Sequence, residues 1–127
     1  MSRPVLLDTS FLVALERETA SGEPGPARLF LRSLRGRSLV VSIVCVEELL
    51  EGAADEAAAF AALQRFSIQG LHLAQARRCA LLQRRAARRL GENDAWLVAT
   101  AESIGADIVG ADRAAFERLG SRYLRFR

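Results

Sequence analysis

The sequence predicts an α/β domain: a mainly parallel central sheet flanked by helices. Short apolar runs suited to strands alternate with longer segments of helical character. The runs Val5-Leu6-Leu7, Leu39-Val40-Val41 and Ile108-Val109 are continuously apolar, as strands covered on both faces are. Helix-capping residues and glycines punctuate the segments between them. The 127 residues, 50% of them hydrophobic, are expected to form one domain over positions 1–127. A chain of this size buries roughly two thirds of its unfolded surface, enough for a core without disulfides.

Taken in order, Val5 to Leu7 is the first strand, and Asp8 or Thr9 caps a helix through about Glu16. Gly22-Glu23-Pro24-Gly25-Pro26 breaks the chain and sets off a helix from Ala27 to Leu34. Leu39 to Val41 is the second strand; Ser42 caps a helix that runs to Glu51 and stops at Gly52. Alanine-rich Asp55 to Phe66 is helical by propensity, and Ser67 to Leu73 is a third candidate strand. A long helix is expected over Ala74 to Leu90, ended by Gly91, and another over Glu92 to Ile104, closed by Gly105. Ile108-Val109 is a strand, Arg113 to Leu119 a helix and Tyr123 to Phe126 a last short strand.

Composition narrows the chemistry. Cys45 and Cys79 show no CxxC spacing, and with His72 the single histidine, zinc held by Cys and His is excluded. Both thiols are expected buried and reduced, which suits a reducing cytoplasm. No segment reaches the ~18 apolar residues of a membrane span, and the N-terminal stretch carries no cleavage site, reading instead as the first strand of a mature domain. All 18 basic residues are arginine, and the net charge of +3 leans towards an anionic partner. There is no convincing Ser-His-Asp or Cys-His set. Phosphoaspartate chemistry on Asp8, as in receiver domains or haloacid-dehalogenase-like phosphatases, relies on a lysine that this chain lacks.

The acids carry the remaining signal. Parallel sheets build their sites beyond the carboxyl ends of the strands. Asp8 follows the first apolar run and Asp112 follows Ile108-Val109-Gly110-Ala111, so both are expected at that edge, whereas Asp107 precedes its strand and belongs at the other end. Asp94 opens a helix that continues Ala95-Trp96-Leu97-Val98-Ala99; it either faces a cleft or only complements the helix dipole. Glu47 and Glu48 lie about 100° apart on their helix, so one faces inward, but spacing does not choose which. Carboxylates that converge repel one another, and a divalent cation relieves the repulsion. Oxygen donors suit Mg2+ or Mn2+, and such an ion activates water and stabilises the leaving oxygen of a phosphodiester.

Four stretches resemble, in order, the motifs of PIN-domain nucleases. They are Leu7-Asp8-Thr9-Ser10, Ser42 to Gly52 with its Glu48-Leu49 pair, Asn93-Asp94-Ala95 opening a buried helix, and Ile108 to Arg113 with Phe116. That alignment selects Glu48 over Glu47. The chain most resembles the VapC-like toxins of bacterial toxin–antitoxin pairs. The resemblance implies an endoribonuclease dependent on Mg2+ (or Mn2+), usually a homodimer and inhibited by a cognate antitoxin. It implies catalytic roles for Asp8, Glu48, Asp94 and Asp112, with Asp8 and Asp94 as principal metal ligands, Asp112 assisting, and Glu48 supporting the metal or its water. Two positions depart from the pattern: Gly110 stands where Thr or Ser is common, and Cys45 where Thr is common. The alternative is a PIN-fold binding module, with weak or lost catalysis, that acts by partner capture.

An RNA substrate needs a cationic surface. Arg77, Arg78, Arg84, Arg85, Arg88 and Arg89 fall within an arc of about 140° on the expected Ala74–Leu90 helix. They read either as a ridge for RNA phosphates, with Arg84, Arg85, Arg88 and Arg89 as candidate contacts, or as an ordinary solvated face. Trp96 is expected in the core rather than as a base-stacking platform, and His72 has no expected chemical task.

Overall fold

The computed structural model describes residues 2–111 and 122–127. Asp112, Phe116 and the helix expected over Arg113 to Leu119 lie outside the described residues. Strands β1 (Val5–Leu7), β2 (Leu39–Ser42), β3 (Ser67–Gln69), β4 (Asp107–Gly110) and β5 (Tyr123–Arg125) form one sheet in the order β3-β2-β1-β4-β5. Every pairing is parallel, with Val5 opposite both Leu39 and Asp107. Helices α1 (Thr9–Ser21), α2 (Pro26–Ser33), α3 (Ile43–Gly52), α4 (Glu56–Leu63), α5 (Leu73–Arg85) and α6 (Glu92–Ile104) connect the strands. The expected α/β class and parallel sheet are what the chain adopts.

The continuous apolar runs are buried on both faces: Val5, Leu6, Leu7, Val41, Ile108 and Val109 are fully inaccessible. Phe11 of α1 fills the space beside them, meeting the rings of Phe30 and Phe126 edge-on at 6.4 and 5.0 Å. Strand passes to helix almost without a loop. Asp8 alone separates β1 from α1, and Ser42, the last residue of β2, caps α3 by accepting the Val44 N–H. Such tight junctions fix the side chains at the carboxyl edge of the sheet.

Several boundaries differ from the sequence expectation. Helix α1 continues past Glu16 to Ser21 and stops at Gly22, whose φ of 76° suits a residue without a β-carbon. The extra turn carries Glu18, which accepts the backbone N–H groups of Gly25, Ala27 and Arg28 and so caps α2 from outside it. These hydrogen bonds from N–H groups hold its carboxyl below the usual range, against burial, which works the other way. Helix α4 ends at Leu63 instead of Phe66, and β3 is limited to Ser67–Gln69.

Helix α5 ends at Arg85, not Leu90, with Ala86 already in extended backbone. The Gln83 side chain explains the early stop. Its amide donates to the Leu90 carbonyl at 3.0 Å and accepts the Leu90 N–H at 2.9 Å, satisfying an N–H that a longer helix would have paired internally and the carbonyl of the same residue. Cys79 packs with Ala95 and Ala99; Leu82, Leu90 and Trp96 pack against that cluster, and Gln83 near the end of α5 bonds Leu90 just before α6. The end of α5 therefore lies beside the start of α6.

Asp107 stands at the amino end of β4, as its position before the apolar run predicts. It is 8% exposed and paired with Arg37 at 2.6 Å and Arg3 at 3.4 Å. Removing one partner leaves Arg37 facing a void in place of its carboxylate. Asp107→Ala is expected to destabilise the domain by about 2 kcal/mol. An unchanged urea midpoint would show that this pair contributes nothing.

Candidate active site

Asp8 is the centre of the carboxyl edge. Its backbone N–H donates to the Val109 carbonyl at 2.9 Å, anchoring it between β1 and β4. Its Oδ1 accepts the Thr9 N–H at 2.7 Å and its Oδ2 the Ser10 hydroxyl at 3.2 Å. Ser10 Oγ in turn accepts the N–H of Ala111 at 3.1 Å, tying the exit of β4 to the same carboxylate. Gly110 makes this approach feasible: a β-carbon there would lie 2.8 Å from Asp8 Oδ2 and 3.2 Å from its Cβ.

Glu48 reaches the site from α3. That helix buries Cys45, Val46 and Leu49, which leaves Glu48 half-buried at the flank of the apolar stripe and Glu47 exposed. Glu48 Oε1 accepts the Thr9 hydroxyl at 2.8 Å, and Oε2 accepts Asn93 Nδ2 at 3.0 Å. Glu47 instead hydrogen-bonds Glu51, a contact that raises its carboxyl above the usual range. Tertiary contact thus makes the choice that spacing left open.

Asp94 sits in the first turn of α6, behind the N-cap Gly91, while Ala95, Leu97, Val98 and Ala99 bury the helix beyond it. With Glu48, Gly91, Glu92 and Asn93 it lines a shallow depression. The charges of Asp94 and Glu48 both act on Asp8. Burial pushes the Asp8 carboxyl up from 3.8 to about 6; the Thr9 and Ser10 hydrogen bonds oppose the rise, and the two neighbouring acids add to it. Glu48 and Asp94 are therefore each within electrostatic reach of Asp8. Among the described residues, no three His, Cys, Asp or Glu side chains stand close enough to enclose a metal ion.

Cys45 lies beneath this group. Burial pushes its thiol up to about 12, with hydrogen bonding from Thr9 opposing and the charges of Asp8 and Glu48 adding. It stays a neutral packing group, and both cysteines are free and buried, as expected. Trp96 is half-buried, packed against the small Cys79–Ala95–Ala99 cluster at the edge of the core rather than within it. Exposed His72 precedes α5, its N–H held by Gln75 at 2.8 Å.

Of the candidate RNA contacts, Arg84 and Arg85 are exposed in the last turn of α5. Arg88 and Arg89 are not on the helix. They occupy the exposed segment that the Gln83 clamp creates, and Arg89 pairs with Glu92 at 3.1 Å. The six-arginine helical ridge is thus corrected to four helical arginines and a loop. Thr9, Ser10 and Asn93 were not singled out from the sequence as site residues. Their only signal was adjacency to Asp8 and Asp94 within the motifs.

An all-parallel α/β domain with Asp8 just after β1 at the carboxyl edge, and the charges of Glu48 on α3 and Asp94 on α6 reaching it, defines a class of fold and site. The chain belongs to the PIN domain family, whose profile matches residues 5–121. Solved structures share the fold. A toxin–antitoxin complex from Klebsiella pneumoniae superposes with a TM-score of 0.79 at 21% identity, over 97% of this chain and 98% of that one. VapBC2 from Rickettsia felis, bound to a DNA fragment from its promoter, gives 0.73 at 17% identity over 95% and 96%. Mycobacterium tuberculosis VapC20, a sarcin-ricin loop cleaving toxin, gives 0.66 at 20% identity over 91% and 95%. No curated protein matches the sequence. Among the described residues no helix is long and apolar enough to cross a membrane.

Proposed function

We propose that the chain is a metal-dependent endoribonuclease and the toxin of a toxin–antitoxin pair. The observation that carries this reading is Asp8 at the carboxyl edge of a PIN domain, with the charges of Glu48 and Asp94 both reaching it. Its neighbours in fold, a toxin–antitoxin complex and a sarcin-ricin loop cleaving toxin, support the biological assignment. In this reading the substrate is RNA, the inhibitory partner is an antitoxin, and the toxin is a homodimer working in the cytoplasm.

Oxygen-only donors and the cost of keeping Asp8 charged fit a hard dication, Mg2+ or Mn2+. Asp8, Asp94 and Asp112 would hold it, with Glu48 beside them. Bound there, the ion supplies Lewis acidity towards water and the scissile phosphodiester. The chain's own groups do the rest. The Thr9 N–H and Ser10 hydroxyl orient the two oxygens of Asp8. Arg84, Arg85, Arg88 and Arg89 take up the flanking phosphates.

Antitoxin-free protein is expected to cut RNA with Mg2+ or Mn2+ and to stop in EDTA; cleavage that survives EDTA overturns the reading. Antitoxin capture with no cleavage of any RNA points to the binding module, the reading to which the missing hydroxyl at Gly110 lends itself. Arg84→Ala and Arg85→Ala are each expected to reduce the slope of log K against log salt by about 0.7 per lost phosphate contact. Slopes equal to the unmutated protein's would move the RNA path elsewhere.

A further inference from the structure

We propose that Thr9 and Asn93 are positioning residues that grip the two oxygens of Glu48 and hold its charge towards Asp8. The inference rests on the nuclease reading above and deepens it. Thr9 donates to Oε1 at 2.8 Å and Asn93 to Oε2 at 3.0 Å, from the N-terminal turns of different helices, α1 and α6. Each donor is the chain neighbour of an acid: Thr9 follows Asp8, and Asn93 precedes Asp94. The clamp therefore ties Glu48 to the backbone that carries both partners.

Without such a grip Glu48 has reason to leave. Its side chain has freely rotating bonds, it is only half-buried, and the negative charge of Asp8 repels it. Glu47, one position earlier on the same helix, lies exposed and hydrogen-bonds Glu51 instead. The donors are also the right kind. An amide and a hydroxyl fill one site on each oxygen without cancelling the charge, and a carboxylate has further lone pairs to offer. An arginine or lysine would hold Glu48 as firmly but neutralise it. The clamp fixes geometry and leaves the charge available to a cation.

The test combines RNA cleavage kinetics with Mn2+ titration calorimetry on Asn93→Ala and Thr9→Val, each alone and in a Glu48→Gln background. Each single change is expected to lower kcat about tenfold, with KM little altered, because a misplaced group impairs the chemical step more than binding. Mn2+ binding is expected to weaken several-fold in parallel. In Glu48→Gln neither change should add a further loss, and Thr9→Ser should restore kcat. Equal losses in both backgrounds would overturn the inference, since they would mean that Thr9 and Asn93 act independently of Glu48. So would unchanged kcat and Mn2+ affinity in Asn93→Ala, a substitution at an exposed position. If the unmutated protein cuts no RNA, the nuclease reading fails, while the Mn2+ titration still reads the clamp.

Discussion

Asp8→Asn is expected to abolish RNA cleavage and yet to stabilise the metal-free protein. Burial, with the charges of Asp94 and Glu48, raises the Asp8 carboxyl from 3.8 to about 6. The folded state thus binds this proton more tightly than the unfolded state. Between pH 3.8 and 6 the native protein carries the extra proton, so stability falls as pH rises through that window. Above it the whole penalty is present, up to about 3 kcal/mol for a shift of this size. Asparagine fills nearly the same volume without charge and escapes the penalty. At pH 7 the variant should melt up to roughly 10 °C higher than the metal-free parent, and the gap should close towards pH 4. Mn2+ should raise the melting temperature of the parent and not of the variant. A variant that melts at or below the parent at pH 7, with no convergence in acid, would refute this account of the site.

The second large effect concerns Gly110. Gly110→Thr restores the hydroxyl residue common at this position in similar motifs, but here it is expected to impair the protein. A β-carbon would press on Asp8 Oδ2 at 2.8 Å and on its Cβ at 3.2 Å. Asp8 has little room to yield, because the Thr9 N–H, the Ser10 hydroxyl and its own N–H bond to Val109 fix it on three sides. The expected cost is about 1–3 kcal/mol of stability from overpacking. A loss on the order of 100-fold in cleavage rate is also expected, from displacement of the central carboxylate. Gly110→Ala, which adds the β-carbon alone, should show most of both effects. A cleavage rate at or above the parent's in Gly110→Thr would show instead that the missing hydroxyl limits this chain and that Asp8 moves aside freely.

The structure also shows where sequence reading loses its hold. Spacing separated Asp8 from Asp107, because strand direction alone assigns them to opposite ends of the sheet. It did not separate Glu47 from Glu48, since a 100° turn is decided by what stands opposite each side chain. The early end of α5 was hidden for a related reason. Arginines and alanines favour helix through Ala87, and a single amide, Gln83, overrides them by pairing with the backbone of Leu90 seven residues away. Two of the four candidate RNA contacts left the helix as a result.

By itself the sequence determined the alternation of strand and helix, the parallel sheet, the buried reduced thiols and the edge on which Asp8 falls. These follow from apolar runs, caps and glycines, whose physics acts over a few residues. Only the tertiary structure decided that Thr9 and Asn93 share Glu48, that Ser10 joins Asp8 to the end of β4, and that Gly110 is small because Asp8 presses on it. Those contacts join positions 39, 45 and 101 residues apart. A hydrogen bond across such a separation forms only after the sheet has brought its strand ends together, so no local pattern encodes it.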